Sequence, residues 1–184
     1  KNLDYFLKRN DCWINKYYNR YNVFIHSFEE NSFFRSRYFD EKQSFFNEVF
    51  FKEKLLKLNY DICDKNVYYK GICESQIIDR LLFKLKKTNN KKLVIYLTVE
   101  NHIPININKQ TSLECNNSLF NLHPQFCFLF NNQLNFNYEL NKFIKKLNQN
   151  DLLVFFSDTP PIYSKRDRIH FEDYIDVFFF KKNN

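Results

Sequence analysis

Polar residues that can do chemistry stand directly after three apolar segments of this 184-residue chain. His26 follows "YNVFI", His102 follows "VIYLTVEN" and Asp158 follows "LLVFFS". Imidazole can bind an anionic group or a metal, and a carboxylate at the end of a strand suits a divalent cation. Position alone leaves two alternatives open: a loop histidine bonded to a backbone carbonyl, and an aspartate that caps the turn before Pro160.

The apolar pattern predicts the elements that must position these side chains. Short apolar runs rich in β-branched and aromatic residues indicate strands, and the two later runs are typical of strands buried on both faces. Apolar residues at a spacing of about 3.6 indicate helices. The predicted strands are 21–28, 91–100 and 151–158, and the predicted helices are 40–58, 73–88 and 138–150. Helices and strands alternate, with polar loops after the strands, so we expect one α/β domain over residues 1–184.

The polar ends of the predicted strands are the first places to expect a ligand. Open α/β sheets bind ligands outside the carboxyl ends of their strands, where the loops converge. Pro104 and Pro160 lie just beyond two of these ends, and proline both stops a strand and stiffens the following turn. Arg35 and Arg37 follow His26, and a guanidinium suits a phosphate or sulfate group, although arginines among 28 basic residues are more often surface charges.

Composition excludes several classes of function. The net charge of +7 would suit nucleic acid or an anionic membrane, but the lysines are spread along the chain, so we expect no nucleic-acid partner. No apolar run approaches the roughly 20 residues of a membrane span, so we expect any anchor to lie upstream. The chain has no Gly-rich phosphate loop, no G-x-S-x-G elbow and no H-E-x-x-H helix. The commonest nucleotide-binding, esterase and metalloprotease functions are therefore not predicted.

The five cysteines leave two interpretations open. Cys63 and Cys73 are close in sequence, as are Cys115 and Cys127, and no C-x-x-C pair is present. Two local disulfides would imply an oxidising compartment. Buried free thiols would suit a cytosolic protein equally well.

Four segments, taken in order, resemble motifs of the sulfatase-like phosphotransferases of the alkaline phosphatase superfamily, which include lipoteichoic acid synthases and phosphoethanolamine transferases. "VFIHSFEENSFFRSRYF" resembles the family's His-Gly stretch with its aromatic, Arg and Tyr, and "YYKGICESQIIDRLLFKL" resembles a Gly-x-Cys-Asp helix opening. "VIYLTVENHIPI" and "LLVFFSDTPPIYSKRDRIHF" resemble the strand ends that carry a substrate-binding His and a metal-binding Asp. The resemblance spans residues 20 to 180, nearly the whole chain.

The resemblance implies a fold and a set of site residues. The fold would be an α/β/α sandwich with a mostly parallel or mixed central sheet, forming the C-terminal part of an alkaline-phosphatase-like domain. Asp158 would bind a divalent metal, which would be zinc, manganese or magnesium. His102 and Arg35 would bind the phospho-group of the substrate, and His26 is placed in the same substrate-binding set. Thr159 stands where the family has a second metal ligand, a histidine, and it offers no imidazole nitrogen.

The resemblance also implies a function and a location. We expect a metal-dependent phospho-group transferase or sulfatase-like hydrolase acting on anionic phospholipid or glycan substrates of the cell envelope, with its nucleophile upstream of Lys1. Membrane anchoring through upstream segments and a periplasmic or extracellular catalytic domain would follow, and disulfides Cys63–Cys73 and Cys115–Cys127 are favoured. Because of Thr159, a catalytically inactive anion-binding domain is the alternative, and a basic nucleic-acid-binding module is a third.

Overall fold

The structure is a computed structural model, and it describes residues 21–32, 46–64, 69–87, 91–100, 124–156 and 177–181. Its strands are β1 (Tyr21–His26), β2 (Glu48–Phe50), β3 (Lys92–Leu97), β4 (Leu152–Phe156) and β5 (Val177–Lys181). Helix α1 is Lys52–Lys57 and helix α3 is Pro124–Lys145. Helix α2 is continuous over 74–87 and consists of Glu74–Gln76, the π-helical stretch Ile77–Leu82, and Phe83–Lys87.

Three of the strands form a parallel sheet in the order β2-β1-β3. The register pairs Tyr21 with Lys92 and His26 with Leu97, so β1 and β3 end side by side. The chain passes from β1 to β2 on one side, and then through α1 and α2 to β3 on the other side. β1 is therefore the point at which the strand order reverses, and the crevice beyond such a point is where open α/β sheets bind ligands.

Alternation along β1 divides the core into two layers, because successive side chains of a strand point to opposite faces. Val23 and Ile25 are fully buried against the helices, and Phe24 packs on the other face with Phe46 and Phe51. Burying a Val or Ile side chain contributes roughly 1.5–3 kcal/mol, so this layer holds α1 and α2 on the sheet. The buried residues of the helix-covered layer are Val23, Ile25, Phe50, Leu55, Tyr60, Ile72, Ile77, Leu81 and Leu85.

Helix α3 connects the parallel sheet to an antiparallel pair formed by β4 and β5. Ile78 of α2 is buried together with Phe136, Phe143 and Leu147, and the partly buried β4 residue Phe155 packs against this cluster. The Phe136 and Phe155 rings have centroids 5.8 Å apart. One apolar cluster therefore holds α2, α3 and β4 together.

The α/β class is confirmed, but the predicted helix over 40–58 is wrong in part. Strand β2 lies within that range, and the only helix in its described part is α1, Lys52–Lys57. Val49 packs in one layer of the core and Phe50 in the other, which requires the side-chain alternation of a strand. The burial of Val49 and Phe50 in two different layers therefore produces a strand, although the spacing of the apolar residues predicted a helix.

The remaining predicted elements exist with changed bounds. The predicted helix at 138–150 begins earlier, at Pro124, where a proline without an N–H suits the first helical turn, and it ends at Lys145. Strand β4 is not buried on both faces, because Leu152 and Val154 are 63% and 41% exposed. Side chains of β3 are partly rather than fully buried. Strand β5 was not predicted, and the extent of the domain over 1–184 stays a prediction.

Candidate functional site

His26 lies at the carboxyl end of β1, as predicted, and its side chain is fully buried. Its Nδ1 is 3.2 Å from the carbonyl oxygen of Leu97, which can only accept, so Nδ1 donates this bond. The rings of Phe28 and Phe51 meet the imidazole edge-on with centroids 6.3 Å away. His26 therefore ties the ends of β1 and β3 together inside an aromatic shell, and its role in substrate binding stays a prediction.

A short disulfide-closed hairpin packs beside these strand ends. Ile62 and Ile72 form an antiparallel bridge, and Cys63 and Cys73 are joined by a disulfide with their Cα atoms 4.7 Å apart. The Ile72 amide donates to the Ser27 carbonyl oxygen at 2.8 Å, which attaches the hairpin to the residue after β1. The predicted Cys63–Cys73 disulfide is confirmed.

The second predicted disulfide is described in part. Cys127 is buried in α3 and is disulfide-bonded. Its predicted partner Cys115 lies outside the described residues, so the pairing stays a prediction.

Gly71, the single glycine of the chain, lies where the hairpin meets β1. A Cβ atom at this position would come 2.8 Å from the Ser27 carbonyl oxygen and 2.7 Å from Cγ2 of Val99. Side chains essentially cannot approach a backbone oxygen so closely without displacing it. The hairpin can therefore contact both the end of β1 and the segment after β3 because residue 71 has no side chain.

Two buried carboxylates connect the start of α2 to the turn after β3. Glu74 is 1% exposed and Glu100 is 9% exposed. Oε1 of Glu74 accepts from the amides of Val99 at 2.5 Å and Glu100 at 2.8 Å. Oε1 of Glu100 in turn accepts from the amide of Glu74 at 2.7 Å. We call this arrangement of Glu74, Val99 and Glu100 the carboxylate clamp.

Neither carboxylate of the clamp was predicted as a site residue, although both lie in segments that resemble family motifs. Glu74 stands at the acidic position of the Gly-x-Cys-Asp-like opening of α2, and Glu100 begins the polar end of the predicted strand. An acidic residue in a first helical turn is a signal for bonding to backbone amides. The partner amides, 25 and 26 residues away, lie in the turn after β3.

Tyr96 of β3 lies next to the clamp, and its phenol oxygen is buried. Burial raises the pKa of Tyr96 well above its ordinary value, the carboxylates of Glu74 and Glu100 raise it further, and the Ser27 hydroxyl offsets part of the rise. The phenol is therefore neutral at physiological pH and can donate a hydrogen bond.

A cleft of about 220 Å³ opens beside the clamp, between the start of α2 and α3. Three of the side chains around it are carboxylates, so it disfavours an anionic ligand. Its lining residues are Glu74, Ser75, Ile78, Glu100, Asn135, Phe136, Tyr138 and Glu139.

Comparison of the sequence with models of protein families and with curated proteins finds no match. Comparison with solved structures finds the lipoteichoic acid synthase LtaP from Listeria monocytogenes, at a TM-score of 0.54 and 15% identity. It also finds an alkaline phosphatase superfamily protein from Vibrio parahaemolyticus, at a TM-score of 0.55 and 12% identity. The chain has an alkaline-phosphatase-like fold. This confirms the resemblance at the level of fold.

The matched regions cover most of this chain but a minority of each solved structure. The match with LtaP covers 85% of this chain and 38% of LtaP. The match with the Vibrio protein covers 92% of this chain and 40% of that protein. In the part of the chain that the structure describes, every helix is too short or too polar to cross a membrane.

A divalent metal, which the alkaline-phosphatase-like fold implies, can be tested against the described residues. One group of potential ligands occurs among them: the Cys63 and Cys73 sulfurs and the Glu100 carboxylate, all within 4.8 Å of one another. Both sulfurs belong to the disulfide, and the thiolate is the form of cysteine that binds metal. This group therefore does not fit a divalent metal.

The other predicted site residues are not in the described part of the chain. Arg35, His102, Asp158 and Thr159 all lie outside it, and their roles stay predictions. Of the predicted site residues, the structure thus describes His26 alone. The described residue nearest to His102 on its N-terminal side is Glu100, two positions earlier.

Proposed function

We propose that the protein to which this chain belongs transfers a phospho-group, or hydrolyses a phosphate or sulfate ester, on a lipid or glycan of the cell envelope. The observation that carries the proposal is the convergence of three of the resembling segments at one edge of an alkaline-phosphatase-like sheet. The end of β1, the start of α2 and the end of β3 are joined there by the His26 bond and the carboxylate clamp. Ligands of open α/β sheets bind at such an edge.

The proposed chemistry assigns a task to each residue of this edge and its loops. His102 and Arg35 would bind the anionic group, because imidazole and guanidinium both donate hydrogen bonds to phosphate oxygens. His26 would complete this set from the end of β1. Asp158 would hold a divalent metal, which when bound supplies a Lewis acid for charge on the transferring group. The nucleophile and an acidic metal ligand would be supplied by sequence upstream of Lys1.

The proposed location is the outer side of a cell membrane, with anchoring through segments beyond this chain. The Cys63–Cys73 disulfide supports it, since disulfides persist in oxidising compartments such as the periplasm or the cell surface. The substrates would then be anionic phospholipids or glycans of that surface, and no nucleic-acid partner is proposed.

The test is an activity assay on the full-length protein. Hydrolysis of p-nitrophenyl phosphate and p-nitrophenyl sulfate would be measured, together with headgroup release from vesicles of fluorescent phosphatidylglycerol or phosphatidylethanolamine. We expect turnover of at least one ester that stops with a chelator and falls at least about 100-fold in Asp158→Ala. The control is Asp79→Ala, which changes an exposed aspartate of α2 and is expected to leave the rate unchanged.

A catalytically inactive anion-binding domain is the competing outcome, because Thr159 replaces a metal-ligand histidine. The anion-binding function would be favoured if the full-length protein turned over none of these esters and elemental analysis found no bound metal. It would then still bind inorganic phosphate, and Arg35→Ala and His102→Ala would abolish this binding.

A further inference from the structure

The turn after β3 is held from two helices at once. The amides of Val99 and Glu100 both donate to the Glu74 carboxylate at the start of α2. From α3, Nδ2 of the buried Asn132 donates to the carbonyl oxygen of Glu100 at 3.3 Å. The amide and the carbonyl of Glu100 are thus both fixed, which sets the direction in which the chain leaves this residue.

Glu74 itself is held rigidly. It follows Cys73, whose disulfide closes the hairpin, and it precedes Ile77, which is fully buried in the core. Its own amide donates to the Glu100 side chain at 2.7 Å, so the two residues hold each other reciprocally. A side chain fixed in this way transmits the position of α2 to the end of β3.

Stability alone gives no reason to place these two carboxylates side by side. Glu74 and Glu100 are both buried, and two like charges repel each other more strongly in a buried site than in water. A neutral amide or hydroxyl could accept from backbone amides without that repulsion. What a carboxylate adds is short, charge-assisted hydrogen bonds, which hold the backbone more tightly than neutral ones do.

We infer that Glu74 is a positioning residue for His102. His102 follows Glu100 by two residues, so a backbone fixed at Glu100 limits where the imidazole can stand. The inference rests on the proposed function, in which His102 binds the phospho-group of the substrate. Glu74 acts through the backbone of Val99 and Glu100, and the disulfide hairpin and Asn132 act in the same direction.

The test compares variants of the full-length protein by the inhibition constant of inorganic phosphate and by kcat and KM for the ester that the wild type turns over. Glu74→Ala removes both bonds to the turn, and we expect the inhibition constant and KM to rise at least about tenfold, since a shift of ~1 Å costs up to about 100-fold. Glu74→Gln keeps an oxygen that accepts from both amides but through neutral bonds, so both constants are expected to lie between those of wild type and those of Glu74→Ala.

A matched control separates positioning from loss of stability. Leu147→Ala opens a cavity in the cluster around α3, which contains no residue of the clamp. It is expected to destabilise the protein while leaving KM and the phosphate inhibition constant unchanged. If Glu74→Ala does not fold, Asn132→Ala releases the same turn from the other side and is expected to raise both constants, by less.

Two results would overturn the inference while the proposed function stands: unchanged constants in both Glu74→Ala and Asn132→Ala, or an equal rise in Leu147→Ala. A wild-type protein that neither turns over an ester nor binds phosphate would instead remove the proposed function, and the inference with it. Hydrogen exchange at the Val99 and Glu100 amides supplies a readout independent of activity. Faster exchange in Glu74→Ala than in Glu74→Gln is expected, and equal exchange would contradict the clamp.

Discussion

Gly71 illustrates how a single position without a side chain controls the packing of the hairpin. Its backbone does not need the left-handed region, since no glycine among the described residues has a positive φ. Asn59 does adopt that region, with φ of 59°, at the end of α1. There the amides of Asn59 and Tyr60 bond to the carbonyls of Leu56 and Leu55, which is the Schellman pattern. Glycine is thus required at 71 for space, while asparagine serves at 59 for conformation.

Gly71→Ala is expected to lower the free energy of unfolding by about 2 kcal/mol, in the range of overpacked cores. The added methyl would meet the Ser27 carbonyl oxygen, which belongs to the backbone and cannot rotate away. Urea unfolding measures the change. Asn59→Gly is the control, and it is expected to cost nothing because glycine favours the left-handed region. An unchanged midpoint in Gly71→Ala would contradict the close contact with Ser27.

Tyr96 makes the stability depend on pH in the alkaline range. Its pKa is raised in the folded protein, chiefly by burial, whereas a tyrosine of the unfolded chain has a pKa of about 10. Above that pH the unfolded chain releases this proton and the folded protein keeps it. Its contribution to stability is therefore complete below about pH 10 and is lost as the pH rises toward the folded pKa.

The comparison of wild type with Tyr96→Phe isolates this effect. Between pH 8 and pH 10.5 the free energy of unfolding of the wild type should fall by about 0.8 kcal/mol more than that of Tyr96→Phe. The other tyrosines are common to both proteins and cancel. Urea unfolding at the two pH values, with free thiols alkylated, gives the difference. Parallel losses in the two proteins would mean that the Tyr96 phenol ionises as readily in the folded state.

At the scale of elements, helix α2 packs both against the parallel sheet and against helix α3. Its π-helical stretch, Ile77–Leu82, buries Ile77 and Leu81 against the parallel sheet. Ile78, which directly follows Ile77, is buried instead in the cluster with α3. Such wide turns are rare in helices and are frequent at functional sites. The start of the same helix carries the clamp, so packing and site geometry are coupled through α2.

The hairpin in front of α2 depends on its disulfide. Replacing Cys63 and Cys73 together by serine is expected to cost about 2.5 kcal/mol of unfolding free energy, because the crosslink closes a loop between cysteines ten residues apart. Asp64→Ser in the same hairpin removes a partly exposed ion pair with Lys70 and should cost under about 1 kcal/mol. Urea unfolding measures both. Labelling of Cys63 by iodoacetamide in the native protein without reductant would show that the disulfide is not formed.

At the scale of the whole molecule, the parallel sheet and the β4–β5 pair are connected through one apolar cluster. Phe143 of α3 is central to it, and its ring meets Phe83 of α2 edge-on with centroids 6.3 Å apart. Leu153 and Phe155 of β4 pack against the same cluster, and so does Tyr96 of β3. We therefore expect the described elements to unfold together.

Phe143→Ala should lower the free energy of unfolding by about 3 kcal/mol, as loss of a buried phenylalanine does. Tyr138→Ala on the same helix is the control, because Tyr138 is 64% exposed, and it should cost under about 1 kcal/mol. Urea unfolding followed by circular dichroism gives both values. Hydrogen exchange in Phe143→Ala should rise in β3 and β4 alike. Faster exchange confined to β4 would mean that the two sheets unfold separately.

The amino-acid sequence by itself determined the features that depend on neighbouring residues. The strand at 21–28, the helix over 73–88 and the strand at 91–100 were all predicted from local periodicity, and His26 was placed at its strand end. The α/β class followed from the order of these elements. The fold family and the Cys63–Cys73 pairing came from motifs in their order along the chain. These features could be predicted because they depend on the spacing of a few side chains that are close in sequence.

Only the tertiary structure decided which distant segments meet. Val49 and Phe50 form a strand because their side chains pack in two different layers of the core. Leu152 and Val154 remain exposed because no described residue covers that face of β4. The carboxylate of Glu74 accepts from amides 25 and 26 residues away, and no pattern within α2 specifies those partners. Long-range packing and hydrogen bonding depend on the whole chain at once. The contacts among the end of β1, the end of β3 and the start of α2 therefore could not be predicted from local sequence.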